Sequence, residues 1–277
     1  MTQTPQMTDR ATLTRHRRRA TAFFLHEAAA DEIEERLALV NRRFTAPAVV
    51  TPFAEVWRGR MPGACIVSDD ETLGLEPGAH DLVVHAMALH WANDPVGQII
   101  QCRRALRPDG LFLGVLPGGQ TLTELRQALS EAEVAVCGGL SPRVAPMAEI
   151  RDLGGLLQRA GLALPVADSV PLTVTYDGAL RLMHDLRAMG EGNALAARHR
   201  RIPPRTLFAE AARRYEQAFA LPGGRIPATF ELIVLTGWAP DPGQPQPLRP
   251  GSATGRLADA LGVPERPLPT RGMGDSN

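Results

Sequence analysis

Between residues 65 and 115, short apolar runs alternate with polar turns and helix-patterned segments, and this alternation limits the chain to few folds. Cys65-Ile-Val-Ser-Asp-Asp-Glu71 is followed by His80-Asp-Leu-Val-Val-His-Ala86, then by Leu89-His-Trp91, and Arg104-Ala-Leu-Arg-Pro-Asp-Gly-Leu-Phe-Leu-Gly114 completes the series. Apolar strands that each lead through a polar turn into a helix build a parallel sheet, which gathers its loops at one end, where a ligand can sit. The predicted class is therefore α/β, with a doubly wound sheet.

The flanking pattern extends that sheet. Ala30, Ile33, Leu37 and Val40 recur at helical spacing, which predicts an amphipathic helix over 27–43. Residues 48–51 and 64–68 read as short strands, and the interval 55–60 holds only about two helical turns. A strand at 81–84 precedes a helix over 95–106, with Asp94 as its N-cap before Pro95. Arg107-Pro-Asp-Gly110 reads as a turn in which glycine supplies an unusual backbone angle before a buried strand at 111–116. Helices follow over 121–136 and 148–160, then strands at 164–174 and 229–236, with helices near 178–189 and 205–220 between them.

The expected organisation is a basic tail over 1–24, one α/β domain over 25–240 with a helical insertion at 178–221, and a Pro/Gly-rich disordered tail over 241–277. The tail at 1–24 carries Arg10, Arg15, Arg17, Arg18 and Arg19 and is read as solvated; a weaker reading is an organelle transit peptide. The expected setting is a bacterial-type cytoplasm, or an organelle matrix if those arginines are an address.

Charge narrows the partners. Lys plus Arg and Asp plus Glu are both 30, so no net field draws the chain to nucleic acid or an anionic surface. The expected partners are a small molecule or another protein, with no nucleic acid; the oligomeric state is left open. The sequence contains no lysine, which removes Schiff-base chemistry and the P-loop lysine. The three cysteines lack paired spacing, which argues against a disulfide framework or a structural zinc site. No apolar run approaches the roughly 20 residues of a membrane span.

The ordered motifs Ser68-Asp-Asp-Glu-Thr-Leu73, His80-Asp-Leu-Val-Val84, Leu89-His-Trp91 and Arg103-Arg-Ala-Leu-Arg-Pro-Asp-Gly-Leu-Phe112 resemble the class I S-adenosylmethionine-dependent methyltransferases. The nearest likeness is the branch with the malonyl carrier-protein methyltransferase of biotin synthesis and NADH-ubiquinone oxidoreductase complex assembly factor 5. Leu116-Pro-Gly-Gly-Gln-Thr-Leu-Thr-Glu-Leu-Arg126, Ser141-Pro-Arg-Val-Ala-Pro146, Arg187-Ala-Met-Gly-Glu191 and Thr236-Gly-Trp-Ala-Pro240 add to it, and the resemblance covers roughly residues 20–240.

The resemblance implies a Rossmann-like sheet with S-adenosylmethionine as cofactor. Members end their first strand in a glycine-rich turn and their second in an acid for the ribose hydroxyls. Here Thr45-Ala-Pro-Ala-Val-Val-Thr-Pro-Phe53 contains no glycine, and no ribose acid can be placed before Cys65, so the sheet is expected to be truncated or degenerate near its first two strands. By position, the resemblance assigns Asp69 to the adenine amino group, with Asp70 and Glu71 as substitutes; His85 joins them as a candidate cofactor residue. The resemblance implies a protein client or a small-molecule methyl acceptor as partner, and His90 and Trp91 would face that acceptor or client, with packing as the simpler role. Tyr176, Arg187, Glu191 and Asn193 lie in or beside the inserted helices, a natural place for a lid. No catalytic residue and no metal ligand is assigned.

Two functions follow. One is a methyltransferase-family protein with weakened or lost cofactor binding; the other is an assembly factor for respiratory complex I, non-catalytic or of hydroxylase type. A metal-dependent hydroxylase would call for two histidines and a carboxylate, which His90 and Asp94 do not supply at compact spacing.

Overall fold

A computed structural model describes residues 6–244 together with 255, 259 and 262. It divides into two compact units, 1–241 and 242–277; the expected disordered tail falls, beyond residue 244, almost wholly outside the described residues. In the first unit the strands are β1 (Pro47–Val50), β2 (Cys65–Val67), β3 (His80–Ala86), β4 (Leu106–Pro117), β5 (Ala163–Tyr176) and β6 (Ile226–Trp238). The helices are α1 (Arg10–Arg17), α2 (Phe24–Leu39), α3 (Ala54–Trp57), α4 (Pro95–Ala105), α5 (Thr123–Cys137), α6 (Ile150–Arg159), α7 (Ala179–Ala188) and α8 (Arg205–Phe219).

All six strands form one sheet in the order β2-β1-β3-β4-β6-β5. The first four run parallel, in registers such as Val49 opposite Val84 and Val84 opposite Leu113. β6 pairs antiparallel with β4, and β5 antiparallel with β6. The chain leaves β1 for β2 on one side and returns to β3 on the other, so the ends of β1 and β3 flank the point where the sheet order reverses, the place where open α/β sheets bind ligands.

A parallel strand covered on both faces needs apolar residues at nearly every position, and all seven residues of β3 are buried. On one face Leu82, Val84, Leu113 and Val115 pack with residues of α2, α5, α7 and α8. On the other, Val83, Phe112 and Leu235 pack with residues of α4 and α6. Asp94 caps α4 by accepting from Gly97 N–H at 2.7 Å, ahead of Pro95. A Cβ on Gly97 would lie 2.2 Å from the Asp94 carboxylate, so glycine is what that cap tolerates.

The truncation lies between β1 and β3. The interval holds one four-residue helix and one three-residue strand, too little chain for two strand-helix units.

Two expectations are corrected. Residues 10–17 are a helix, not part of a solvated tail: Asp9 caps it by accepting from Thr12 N–H, Arg15, His16 and Arg17 complement the dipole in its last turn, and Leu13 is buried among Trp91, Ala194 and Leu195. Residues 107–110 are not a turn ahead of the strand but an irregular start of β4, where the register with β3 shifts between His80 and Leu82, and their left-handed residue is Asp109 (φ 59°), not Gly110. Gly110 serves close packing, since a Cβ there would sit 2.9 Å from the Arg107 carbonyl oxygen.

Candidate functional site

The site begins where β1 and β2 end. After Val50 the chain continues Thr51-Pro-Phe53, and the Phe53 N–H donates to Thr51 Oγ1 at 3.2 Å. The Phe53 side chain is buried between Phe23 (ring centroids 5.0 Å apart) and His26 (4.7 Å), both with edge-to-face geometry. A glycine turn leaves room for a ligand against the backbone; here the segment after β1 has no glycine and carries a buried aromatic ring.

Asp69 follows β2, and its side chain is only 5% exposed. Arg17 Nη1 donates to both carboxylate oxygens, at 2.8 and 2.9 Å. Arg10 donates through Nη1 to Oδ2 at 3.0 Å and through Nη2 to the Asp69 carbonyl at 2.7 Å. Burial alone would raise the Asp69 pKa, but the two guanidiniums outweigh it and hold the carboxyl below its ordinary range. The acid assigned to an adenine amino group is thus bound by α1 of the same chain.

The helix is laced down at its start as well. Thr8 N–H donates to Asn93 Oδ1 at 2.8 Å, Asp9 N–H to the Ala194 carbonyl at 2.8 Å, and Arg198 Nη2 to Asp9 Oδ2 at 2.8 Å. The last two contacts join α1 to the segment after α7.

Glu191 is the centre of a second buried cluster. Its Oε2 accepts from Trp91 Nε1 at 2.7 Å and lies 3.2 Å from His90 Nε2. Burial would raise its pKa; the charge and hydrogen bond of His90, with the charge of Arg17, reverse this and keep it below the usual carboxylate range. The local sequence explains its position. Gly190 N–H bonds the Arg187 carbonyl and Glu191 N–H bonds the Leu186 carbonyl, the two bonds of a Schellman motif, with Gly190 at φ 81°. A Cβ on Gly190 would approach the Arg17 Cα to 3.1 Å, so this glycine serves both the turn and the close passage of α1.

The remaining candidates separate. His85 is fully buried, with Nε2 2.7 Å from Gln98 Oε1, and burial pushes its pKa down to about 4. Gln98 Nε2 in turn donates to the carbonyls of Asp69 and Asp70 at 3.3 and 3.1 Å, which fixes the turn that carries them. Asp70 and Glu71 are exposed; Asp70 accepts from Ser68 Oγ, and Glu71 Oε1 accepts from Asn93 Nδ2 at 3.4 Å. Tyr176 lies in the core and donates to Asp185 at 2.8 Å. His90 and Trp91 come together at Glu191, and Arg187 stands one turn before it.

Beside this cluster opens a cavity of about 360 Å³, walled by apolar side chains such as Leu25, Leu125, Met183 and Phe230, with Trp91 and Glu191 in its lining. Its size and mostly apolar lining with few polar groups are those of small-molecule pockets. Sequence reading missed Arg10, Arg17 and His26. The signals that could have found α1 are the Asp9 cap and the basic last turn; nothing local points Arg17 at Asp69, 52 residues away. Among the described residues no three or more His, Cys, Asp or Glu side chains are grouped as metal ligands.

Residues 22–114 match the family described as a methyltransferase domain. The chain is 37% identical over 199 residues to a Danio rerio protein named arginine-hydroxylase NDUFAF5, mitochondrial, covering 72% of this chain and 62% of that one. It is also 37% identical over 177 residues to the malonyl-[acyl-carrier protein] O-methyltransferase of Nitrosospira multiformis, covering 64% of this chain and 55% of that one. The chain therefore spans less than two thirds of the length of either relative. Among solved structures, the YcgJ protein of Bacillus subtilis overlaps 75% of this chain and 97% of its own, at 11% identity and a TM-score of 0.47.

Proposed function

We propose, for a chain that belongs to the class I S-adenosylmethionine-dependent methyltransferase family, that it works by holding a guest in the apolar cavity beside Trp91 and Glu191, with its hold on the cofactor weakened by its own residues. S-adenosylmethionine is the cofactor of the family. The residues here do not fit that group as they stand. The segment after β1 has no glycine and carries the buried ring of Phe53, and the Asp69 carboxylate accepts from two arginines. The double pairing of Asp69 by α1 is the observation that carries this reading, because a nucleoside reaching that carboxylate must first displace Arg17 and Arg10 from a buried site.

The guest is a small molecule or a segment of a client protein. The name of the Danio rerio relative, a mitochondrial arginine hydroxylase, favours a protein client, and a role in assembling respiratory complex I is the form of this reading that the family likeness suggests. The setting is then a bacterial-type cytoplasm or an organelle matrix. No helix among the described residues is long and apolar enough to cross a membrane. Turnover as an O-methyltransferase is the second reading, favoured by the name of the Nitrosospira multiformis relative and by an acid being retained directly after β2.

Calorimetric titration separates the two. The native protein is expected to give no heat with S-adenosylmethionine or S-adenosylhomocysteine below millimolar concentration. Micromolar binding by either nucleoside would contradict the guest-holding reading and support turnover.

A further inference from the structure

The apolar cavity does not end at Glu191. Arg187, Gly192 and Asn193 line it and also line a neighbouring open cleft of about 580 Å³, so the two spaces border on the same residues. The cleft has a different chemistry. Its other lining residues are His16, Arg19, His184 and Ala188, so it presents two guanidiniums and two imidazoles and no acid.

The arginines of this cleft are available. Arg143 and Arg198, which line the cavity, are paired with Glu133 at 2.6 Å and with Asp9 at 2.8 Å. The guanidiniums of Arg19 and Arg187 have no hydrogen-bond or ion-pair partner among the described residues. Among the described residues Glu191 is the only acid lining either space; its Oε2 is turned to Trp91 and His90, its Oε1 has no hydrogen-bond partner, and it pairs with neither arginine. Unpaired cations collected at the mouth of an apolar space have a specific complement. An anion placed there meets planar donors suited to a multi-oxygen acceptor, and an attached hydrocarbon chain leaves water for the cavity.

We propose that the cavity and the cleft form one site for an anionic amphiphile, a hydrocarbon chain ending in a phosphate ester, with the phosphate between Arg19 and Arg187 and the chain along Met183, Leu125 and Phe230. A dianionic head matches two guanidiniums better than a carboxylate does, and neither a free phosphate nor a bare chain uses both halves of the site. This rests on the cavity being the guest site, and it names the chemical class of the guest. The phosphate ester comes either as a dissolved monomer or as a lipid headgroup in a bilayer.

The test titrates the full-length protein with four probes: dodecyl phosphate below its critical micelle concentration, dodecanol, inorganic phosphate, and vesicles of phosphatidylcholine with phosphatidic acid. Dodecyl phosphate is expected to bind at micromolar concentration and dodecanol far more weakly, while inorganic phosphate gives no heat below millimolar. Removing the arginines in Arg19→Ser and Arg187→Ser, both at the cleft, is expected to weaken dodecyl phosphate roughly tenfold or more for each. Binding to vesicles, lost in the same variants, would assign the phosphate to a lipid headgroup; binding to the monomer alone would assign it to a soluble ester, and both support the site. Equal affinity for dodecyl phosphate and dodecanol, or none lost in the double variant, would overturn it. So would a failure of dodecyl phosphate to bind at all.

A neutral dye, Nile red, distinguishes the two layers of the argument. If it enters the native protein and is excluded by Met183→Trp while dodecyl phosphate does not bind, the guest cavity stands and the phosphate assignment falls. If the dye is not excluded by that variant either, the cavity reading falls with it.

Discussion

Asp69→Ala is expected to lower the stability of the whole protein by about 3–5 kcal/mol, the cost of removing one partner from a buried ion pair. The Arg17 side chain is 9% exposed, and its Nε and Nη2 atoms already lack partners among the protein's atoms. Taking away the carboxylate leaves a buried guanidinium without its hydrogen-bonded partner, and the charge of Glu191 alone remains to offset it. Arg10 is more open, at 24% exposure, and its ion pair accounts for a smaller share, about 0–1 kcal/mol. The companion change is diagnostic. Replacing both partners, Arg17→Met with Asp69→Leu, is expected to recover most of the loss, because two apolar groups of similar volume carry no desolvation cost. Urea denaturation midpoints at neutral pH give both values. If Asp69 served only a dissociable ligand, Asp69→Ala would sit within about 0.5 kcal/mol of the native protein, as ordinary surface changes do.

The second large effect is a loss of stability in mild acid. His26 and His85 are 2% and 0% exposed, and burial pushes both pKa values down to about 4. An unfolded histidine takes its proton near pH 6.5. Between pH 6.5 and pH 4, therefore, the unfolded chain holds more protons than the folded one, and stability falls as the pH falls through that window. At its lower end each histidine removes about 3 kcal/mol. The depressed carboxylates of Asp69 and Glu191 act separately: their contribution is present above the ordinary carboxylate pKa and is lost only as the pH falls through their lowered folded values. Melting temperatures at pH 7.5, 6, 5 and 4.5 should fall steadily, and His85→Leu should flatten the slope by about half. A profile without slope between pH 7.5 and 5 would show that neither ring is kept neutral by the fold.

Local chemistry made much of the sheet legible. The run at 80–86 is apolar enough to be covered on both faces, and Asp94-Pro95 marks the start of α4 at the residue where it begins. The absence of glycine before Phe53 was equally visible, and so was the shortage of chain before Cys65. Periodicity could not show what closes the end of the sheet. In α1 the buried positions are only Thr12 and Leu13, too few to make an apolar stripe, and the helix is anchored instead by arginines whose partner lies 52 and 59 residues further on. Glu191 has the same difficulty: it is a charged residue just past a helix, and it meets Trp91 across a separation of 100 residues. In the irregular start of β4 at 107–110 the glycine was visible, but Gly110 packs closely against Leu106 and the Arg107 carbonyl while Asp109 takes the left-handed angle. Long-range polar pairing, which carries no sequence period, separates the readable part of this molecule from the rest.

Hydrogen exchange at the α1 amides tests most directly whether the chain fills the end of its own sheet. With α1 bound through Arg10 and Arg17 to Asp69, those amides should exchange slowly, and millimolar S-adenosylmethionine should leave their rates unchanged. Fast exchange in α1 of the free protein, together with new protection around Asp69 when the nucleoside is added, would contradict the account.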